Sequence, residues 1–544
     1  MSATDMKKAI SMKKQLLPLV MVAAAPLLAA TAHAAAPGIT GPTFNLTAQA
    51  ASISQPDGQA VYSWGYGCNG APSGYSPSAI TTAPACSTMQ IPGPTLIVTE
   101  GQTVAVTLTN NLPAAAGNTS ILFPGFNVST SCSASPATGA AGLLTCEAAP
   151  GGTVTYTFTA GSPGTRAYYS GTQGDLQVEM GLFGAIIVLP NGAPTNGSCP
   201  THNSAAGLNT AGTALAAGGE SDFRLSPTGA AYHVTQSCYD REYLFQFSEM
   251  DPNIHIQTLA QVTACLAPGA ATGCHLNVPT EPYHPAYFMI NGRSMPDDMD
   301  TNYAAQYPHQ PYNGNPHMHP GEQVLLRIIG QGRWQHPFHE HGNHVRILGR
   351  DGNLIVSSTS ATQLAGPLLF TTTTTPGLAM DGIFYWTGRG LNWDAYGHHS
   401  GSDSDPLATL TCTPDANGYN TGNPLAVNYY EWCQDHNKPV QAAPFGDVAA
   451  GGPVTLPDPN LFTNGAWYGG SPYLGPDATV RATGPTGTTP PSGTIANSPT
   501  GEAGFAFMWH SHNEREITTN NIFPGGMLMM MLVDSREFVI DESN

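Results

Sequence analysis

The chain has 544 residues, with 17 Lys and Arg against 36 Asp and Glu and a formal charge of −19. So acidic a surface has no electrostatic footprint for nucleic acid or anionic membranes, and neither is expected as a partner. Only 10% of residues are charged, and 61 Gly, 47 Pro and abundant Thr, Ser and Asn point to an all-β chain with many turns and little helix.

Lys7, Lys8, Lys13 and Lys14 precede an apolar stretch from Leu16 to Ala30 that closes on Ala32-His33-Ala34. This is the pattern of a bacterial-type secretory signal peptide, residues 1–34, and it predicts a periplasmic or secreted protein. The stretch is too short to span a bilayer, and no later segment has about 18 consecutive apolar residues. Removing these residues takes away four Lys and one Asp, so the mature charge is −22. Ten cysteines, none in Cys-x-x-Cys spacing, predict disulfides in an exported chain. Sequence order permits the local pairs Cys68–Cys86, Cys132–Cys146, Cys199–Cys238, Cys265–Cys274 and Cys412–Cys433.

About 510 mature residues exceed a single core. Residues 95–99 and 103–109 alternate around Glu100-Gly101-Gln102, and further β-runs at 154–159 and 184–189 complete a first sandwich over residues 40–192. Residues 193–235, rich in Ala, Gly, Thr and Ser, read as a linker. A second unit over 236–536 repeats the first. Gly321-Glu322-Gln323 precedes a β-run as Glu100-Gly101-Gln102 does, Pro376–Phe384 corresponds to Pro150–Phe158, and Gly525–Val533 to Gly181–Val188. An insertion at about 395–500 reads as an extended loop or capping excursion.

The second unit carries the chemistry. His336-Pro337-Phe338-His339-Glu340-His341-Gly342-Asn343-His344 and Trp509-His510-Ser511-His512 each contain His-x-His. On a strand, side chains at i and i+2 leave the same face, so His339 and His341 point together, as do His510 and His512. If the strands are neighbours, four imidazoles converge, a donor set for a transition metal. His317 and His319 form an isolated pair more simply read as solvated. His398-His399 and His344 are weak candidates, since adjacent residues on a strand face opposite sides. Met527, Met529, Met530 and Met531 fit core filling better than soft copper ligation. Glu340, Glu514 and Glu516 lie near the pairs, with Glu514 the candidate proton donor.

Gly93-Pro94-Thr95-Leu96, Asn291-Gly292-Arg293, His336–Gly342 and Trp509–His512 resemble multicopper oxidases over most of the mature chain. The resemblance implies tandem cupredoxin-like Greek-key β-sandwiches, copper as cofactor, and oxidation of a small-molecule or metal-ion substrate with dioxygen. It matches His339, His341, His510 and His512 to trinuclear-cluster ligands, and His336 to a type 1 copper histidine. The departures are specific. The first unit has Phe123-Pro124-Gly125-Phe126 and Tyr168-Tyr169-Ser170-Gly171 where the His motifs would fall. In the terminal family motif a Cys separates the two His and a further His follows, whereas Ser511 and Glu516 stand here, and no Cys follows Cys433. A hydroxyl does not replace the thiolate of a blue copper site. Trp509–His512 followed by Gly525-Gly526-Met527 also resembles the family's first-domain motif, in which Ser is natural. The expectation is a copper site of His339, His341, His510 and His512, with His336 as a fifth ligand. Two alternatives stand beside it: a non-catalytic copper-binding protein or scaffold, and a homo-oligomer pooling eight His across a two-fold axis.

Overall fold

The computed structural model describes residues 36–76, 86–131, 139–199, 225–386, 413, 421–422, 470–474, 503–534 and 540. The expected signal peptide and nearly all of the 395–500 insertion lie outside them. The described chain is all-β, built as tandem cupredoxin-like sandwiches, and no described helix is long and apolar enough to cross a membrane.

Polar/apolar alternation forms the first sandwich. Thr103–Asn110 buries Val104, Val106 and Leu108 while its threonines face outward. It pairs antiparallel with Thr153–Thr159 and parallel with Thr43–Ser54 in a five-stranded sheet. The facing sheet also has five strands and joins Gly164–Tyr169 to Phe183–Leu189 to Leu96–Thr99. The core between them is aromatic at one end, where Phe123 lies 4.9 Å from Phe158 and 5.8 Å from Tyr168, ring centre to ring centre.

The second pair of sheets repeats these connections. Gln323–Gly330 runs parallel to Cys238–Met250 and antiparallel to Ala379–Tyr385, as Thr103–Asn110 does to its neighbours. The facing six-stranded sheet orders His317–Met318, Leu528–Asp534, Ala503–Ser511, His336–Glu340 and Thr371–Thr374. Gly470–Leu474, from within the insertion, pairs with Ala503–Ser511, so the insertion returns one strand to the sheet. Met527, Met529 and Met531 are fully buried core residues.

Two segments depart from the sequence reading. Leu225–Ala230, inside the span expected to be linker, is a strand paired with Cys238–Met250; its irregular sequence hides a ladder that backbone groups alone can make. Pro252–Leu266 is a 15-residue helix. Asp251 caps it by accepting from the Asn253 amide, and Pro252 occupies its first turn. Ile254 and Val262 on this helix join the first sandwich's core. Across the seam between the sandwiches, Asp381 accepts from the Thr165 amide and hydroxyl at 3.0 and 2.5 Å, and Ile97, Ile187, Leu244 and Ile329 share one apolar cluster. The disulfides Cys68–Cys86, Cys199–Cys238 and Cys265–Cys274 are formed. The other two expected pairings involve residues outside those described.

Candidate metal centre

The antiparallel register sets His339 directly opposite His510, with Phe338 opposite Ser511 and Glu340 opposite Trp509. Directly paired residues share a face, so His339, His341, His510 and His512 gather at one end of the sheet. Ring centres are 4.8 Å apart for His339–His341 and His339–His512, 5.2 Å for His341–His510, and 5.6 Å for His339–His510 and His510–His512. Nε2 of His341 and Nε2 of His510 are 3.3 Å apart.

Four imidazoles bound tetrahedrally at a metal–nitrogen distance near 2.0–2.1 Å have ring centres roughly 5 Å apart, so the spacing fits a shared ion. Among the described residues no three ligand-type side chains yet meet at coordination distance.

Two of the rings are held through Nδ1. Nδ1 of His339 lies 2.6 Å from the Thr371 hydroxyl, and Nδ1 of His510 lies 2.6 Å from the Ser511 carbonyl. A carbonyl only accepts, so Nδ1 of His510 carries the proton and Nε2 the lone pair. Burial and the neighbouring imidazoles lower the pKa of His339 to about 4, and burial lowers that of His510. Both are therefore neutral and ligand-competent at neutral pH. His339 and His510 are buried, His341 is half-buried and His512 is exposed, so the cluster opens to solvent on the His512 side.

His336 is not part of this group, contrary to the sequence reading. It is fully buried, with Nδ1 2.9 Å from Glu516 Oε2 and Nε2 2.8 Å from Glu249 Oε2. Burial alone would lower its pKa, but the two carboxylates raise it to about 9. Both nitrogens thus donate and no lone pair is left for a metal. The spacing that suggested a fifth ligand instead places a cation between two carboxylates.

Glu516 accepts in addition from the Ser511 hydroxyl at 2.5 Å and from the Asn513 side chain at 2.8 Å, which fixes the loop carrying His512. Glu249 accepts from the Arg333 and Trp334 amides at 2.7 and 2.8 Å, just before the His336–Glu340 strand. One buried ionic chain therefore orients both histidine-bearing segments, in the way outer-shell groups orient ligands in metal sites.

Glu340 points to the opposite face from His339 and His341. Burial raises its pKa to about 8, and it accepts from Thr372 at 2.8 Å. Glu514, the expected proton donor, is exposed at the mouth. His344 packs against Phe370, which also flanks His339. His317 and His319 are buried, His317 on a strand paired with Leu528–Asp534, and His398-His399 lies outside the described residues. Glu249 and Thr371 carried no local sequence signal.

Residues 76–193 match the family described as multicopper oxidase. An L-ascorbate oxidase of Brassica rapa subsp. pekinensis is 41% identical over 100 residues, 18% of this chain and 16% of that protein, so the match spans about a sixth of the relative's length. Among solved structures, the multicopper oxidase mgLAC is 14% identical with a TM-score of 0.42, covering 90% of this chain and 86% of its own. A blue copper oxidase from Nitrosomonas europaea is 15% identical with a TM-score of 0.41, covering 90% and 85%.

Proposed function

We propose that this chain, whose residues 76–193 match the multicopper oxidase family, is a divergent member of that family and an exported copper oxidoreductase with its metal held by His339, His341, His510 and His512. The single observation that carries this reading is the convergence of two His-x-His pairs through one strand register. A set of imidazoles with no thiolate suits copper without a blue type 1 centre. No free cysteine is present among the described residues, and the first sandwich contributes no imidazole at the matching positions.

Copper bound there would supply single-electron chemistry. The protein's own groups do the rest. Thr371 and the Ser511 carbonyl hold the His339 and His510 rings, and the Glu249–His336–Glu516 chain fixes both segments. His512 and Glu514 at the mouth leave access for a small-molecule or metal-ion substrate and for dioxygen, with Glu514 positioned to exchange protons with solvent. The disulfides support export to an oxidising compartment.

The second reading is a copper-binding protein without turnover, favoured by the missing thiolate relay. Metal analysis with EPR and visible spectra on protein expressed with copper tests both. Copper bound without an intense blue band, together with oxygen consumption on a small reductant, supports the oxidoreductase. Copper without oxygen consumption selects the binding protein, and no copper after reconstitution defeats both.

A further inference from the structure

The first sandwich repeats the geometry of the metal-bearing one without its ligands. Leu122 bridges Tyr169 as His339 pairs with His510. The Ser170 amide donates to Leu182 O at 3.0 Å as the Ser511 amide donates to Met527 O at 2.9 Å. The positions of His339, His341, His510 and His512 thus correspond to Leu122, Pro124, Tyr169 and Gly171.

Beside them lies a cavity of about 300 Å³. Leu122, Tyr169, Gly171 and Val178 line it from the first sandwich, and Gln331 and Gly332 from the second. Among the described residues no charged side chain lines it.

Two polar groups in this wall have unused hydrogen-bonding capacity. Gln331 is 2% exposed. Its side-chain amide donates to Gly184 O at 2.9 Å and Gln246 Oε1 at 3.0 Å, so both hydrogens are committed. Its Oε1 accepts from no described residue, which leaves its lone pairs available to a ligand in the cavity. The Tyr169 hydroxyl likewise has no hydrogen-bond partner among the described residues. One acceptor and one hydroxyl in an apolar wall complement a group that both donates and accepts.

We propose that this vacated ligand position is a binding site for a small, uncharged, largely apolar alcohol, its hydroxyl shared between Gln331 Oε1 and Tyr169. A cavity of about 150 Å³ holds benzene, so the volume here suits about two fused rings. An anion is disfavoured, because no cationic side chain lines the cavity to meet its carboxylate.

The test is equilibrium dialysis of 2-naphthalenemethanol, 2-methylnaphthalene and 2-naphthoate against the mature protein, metal-free and copper-supplied. The alcohol is expected to bind saturably, one per chain and equally in both forms, because no imidazole takes part. 2-Naphthoate is expected to bind at least about tenfold more weakly. Gly174 lines the cavity and an added Cβ there meets nothing within 4 Å, so Gly174→Phe adds a ring at the cavity rim without a clash and is expected to weaken the alcohol by about tenfold or more. Should that variant not fold, Tyr169→Phe decides: it lowers affinity for the alcohol about fivefold and leaves 2-methylnaphthalene unchanged. No saturable binding, or equal affinity in both variants, overturns the proposal. Loss of binding in His339→Ala also overturns it by moving the ligand to the imidazole cluster.

Discussion

At matching points of the two sandwiches, one fold solves the same local problem with neutral groups and with charges. In the first, the Thr119 and Ser170 hydroxyls both donate to Gln177 Oε1, at 2.8 and 2.6 Å. In the second, His336 and Ser511 occupy those places and converge on Glu516 Oε2. Next to the neutral version stand Leu122 and Tyr169, with the aromatic packing of Phe123 behind them; next to the ionic version stand four imidazoles. A buried ion pair is weak evidence for stability, since desolvation offsets much of its attraction. At this point of the fold it stands between the two histidine-bearing segments and is replaced by neutral groups in the first sandwich, which indicates that it serves position rather than cohesion.

The largest expected difference between the halves is in copper. His339→Ala and His510→Ala should each reduce bound copper to background, whereas Leu122→Ala should leave copper content unchanged. Equal content in all three variants would break the comparison at its root. Next in size is stability. Phe123 is 3% exposed and packs against three aromatic rings, so Phe123→Ala should cost about 3–5 kcal/mol in denaturant unfolding. Copper per chain should be unaffected. Copper lost in step with this destabilisation would mean that the metal site depends on the first sandwich's core.

Much of this was legible in the sequence because it is local. Alternation in Thr103–Asn110 fixes a strand and its buried face, and His-x-His fixes two imidazoles on one side whatever the partner strand is. The role of His336 was not legible. Its spacing from His339 sets where its backbone lies, but what its ring meets depends on Glu249, 87 residues away, brought in by tertiary packing. Thr371 was hidden for the same reason, since it joins the site only through the pairing of Thr371–Thr374 with His336–Glu340. The strand at Leu225–Ala230 was missed because a ladder of backbone hydrogen bonds leaves no hydrophobic period to read.

The ionic version should also respond to pH where the neutral one does not. The His336 pKa is raised from 6.5 to about 9 in the folded protein. Its contribution is therefore fully present below pH 6.5 and lost as pH rises through 9, on the order of 3 kcal/mol in all. Exchanging the charged pair for the first sandwich's residues, His336→Thr with Glu516→Gln, should flatten unfolding free energy across that window. A slope identical to wild type would assign the pH dependence to other groups.

The smallest effect sharpens what holds the imidazoles in place. If strand register alone aims them, the Thr371 hydroxyl is incidental; if the ring must also be turned, its contact with Nδ1 of His339 matters. Thr371 is half-buried at the rim and pairs by backbone with His339, so Thr371→Val keeps the β-branch and the ladder while removing one hydrogen-bonding hydroxyl. Outer-shell partners of metal-bound histidines are typically worth about 10–100-fold in affinity. Chelator competition should therefore show copper held more weakly by about that factor, with copper still bound at saturation and unfolding unchanged. Wild-type affinity in this variant would show that two paired strands suffice to build the site.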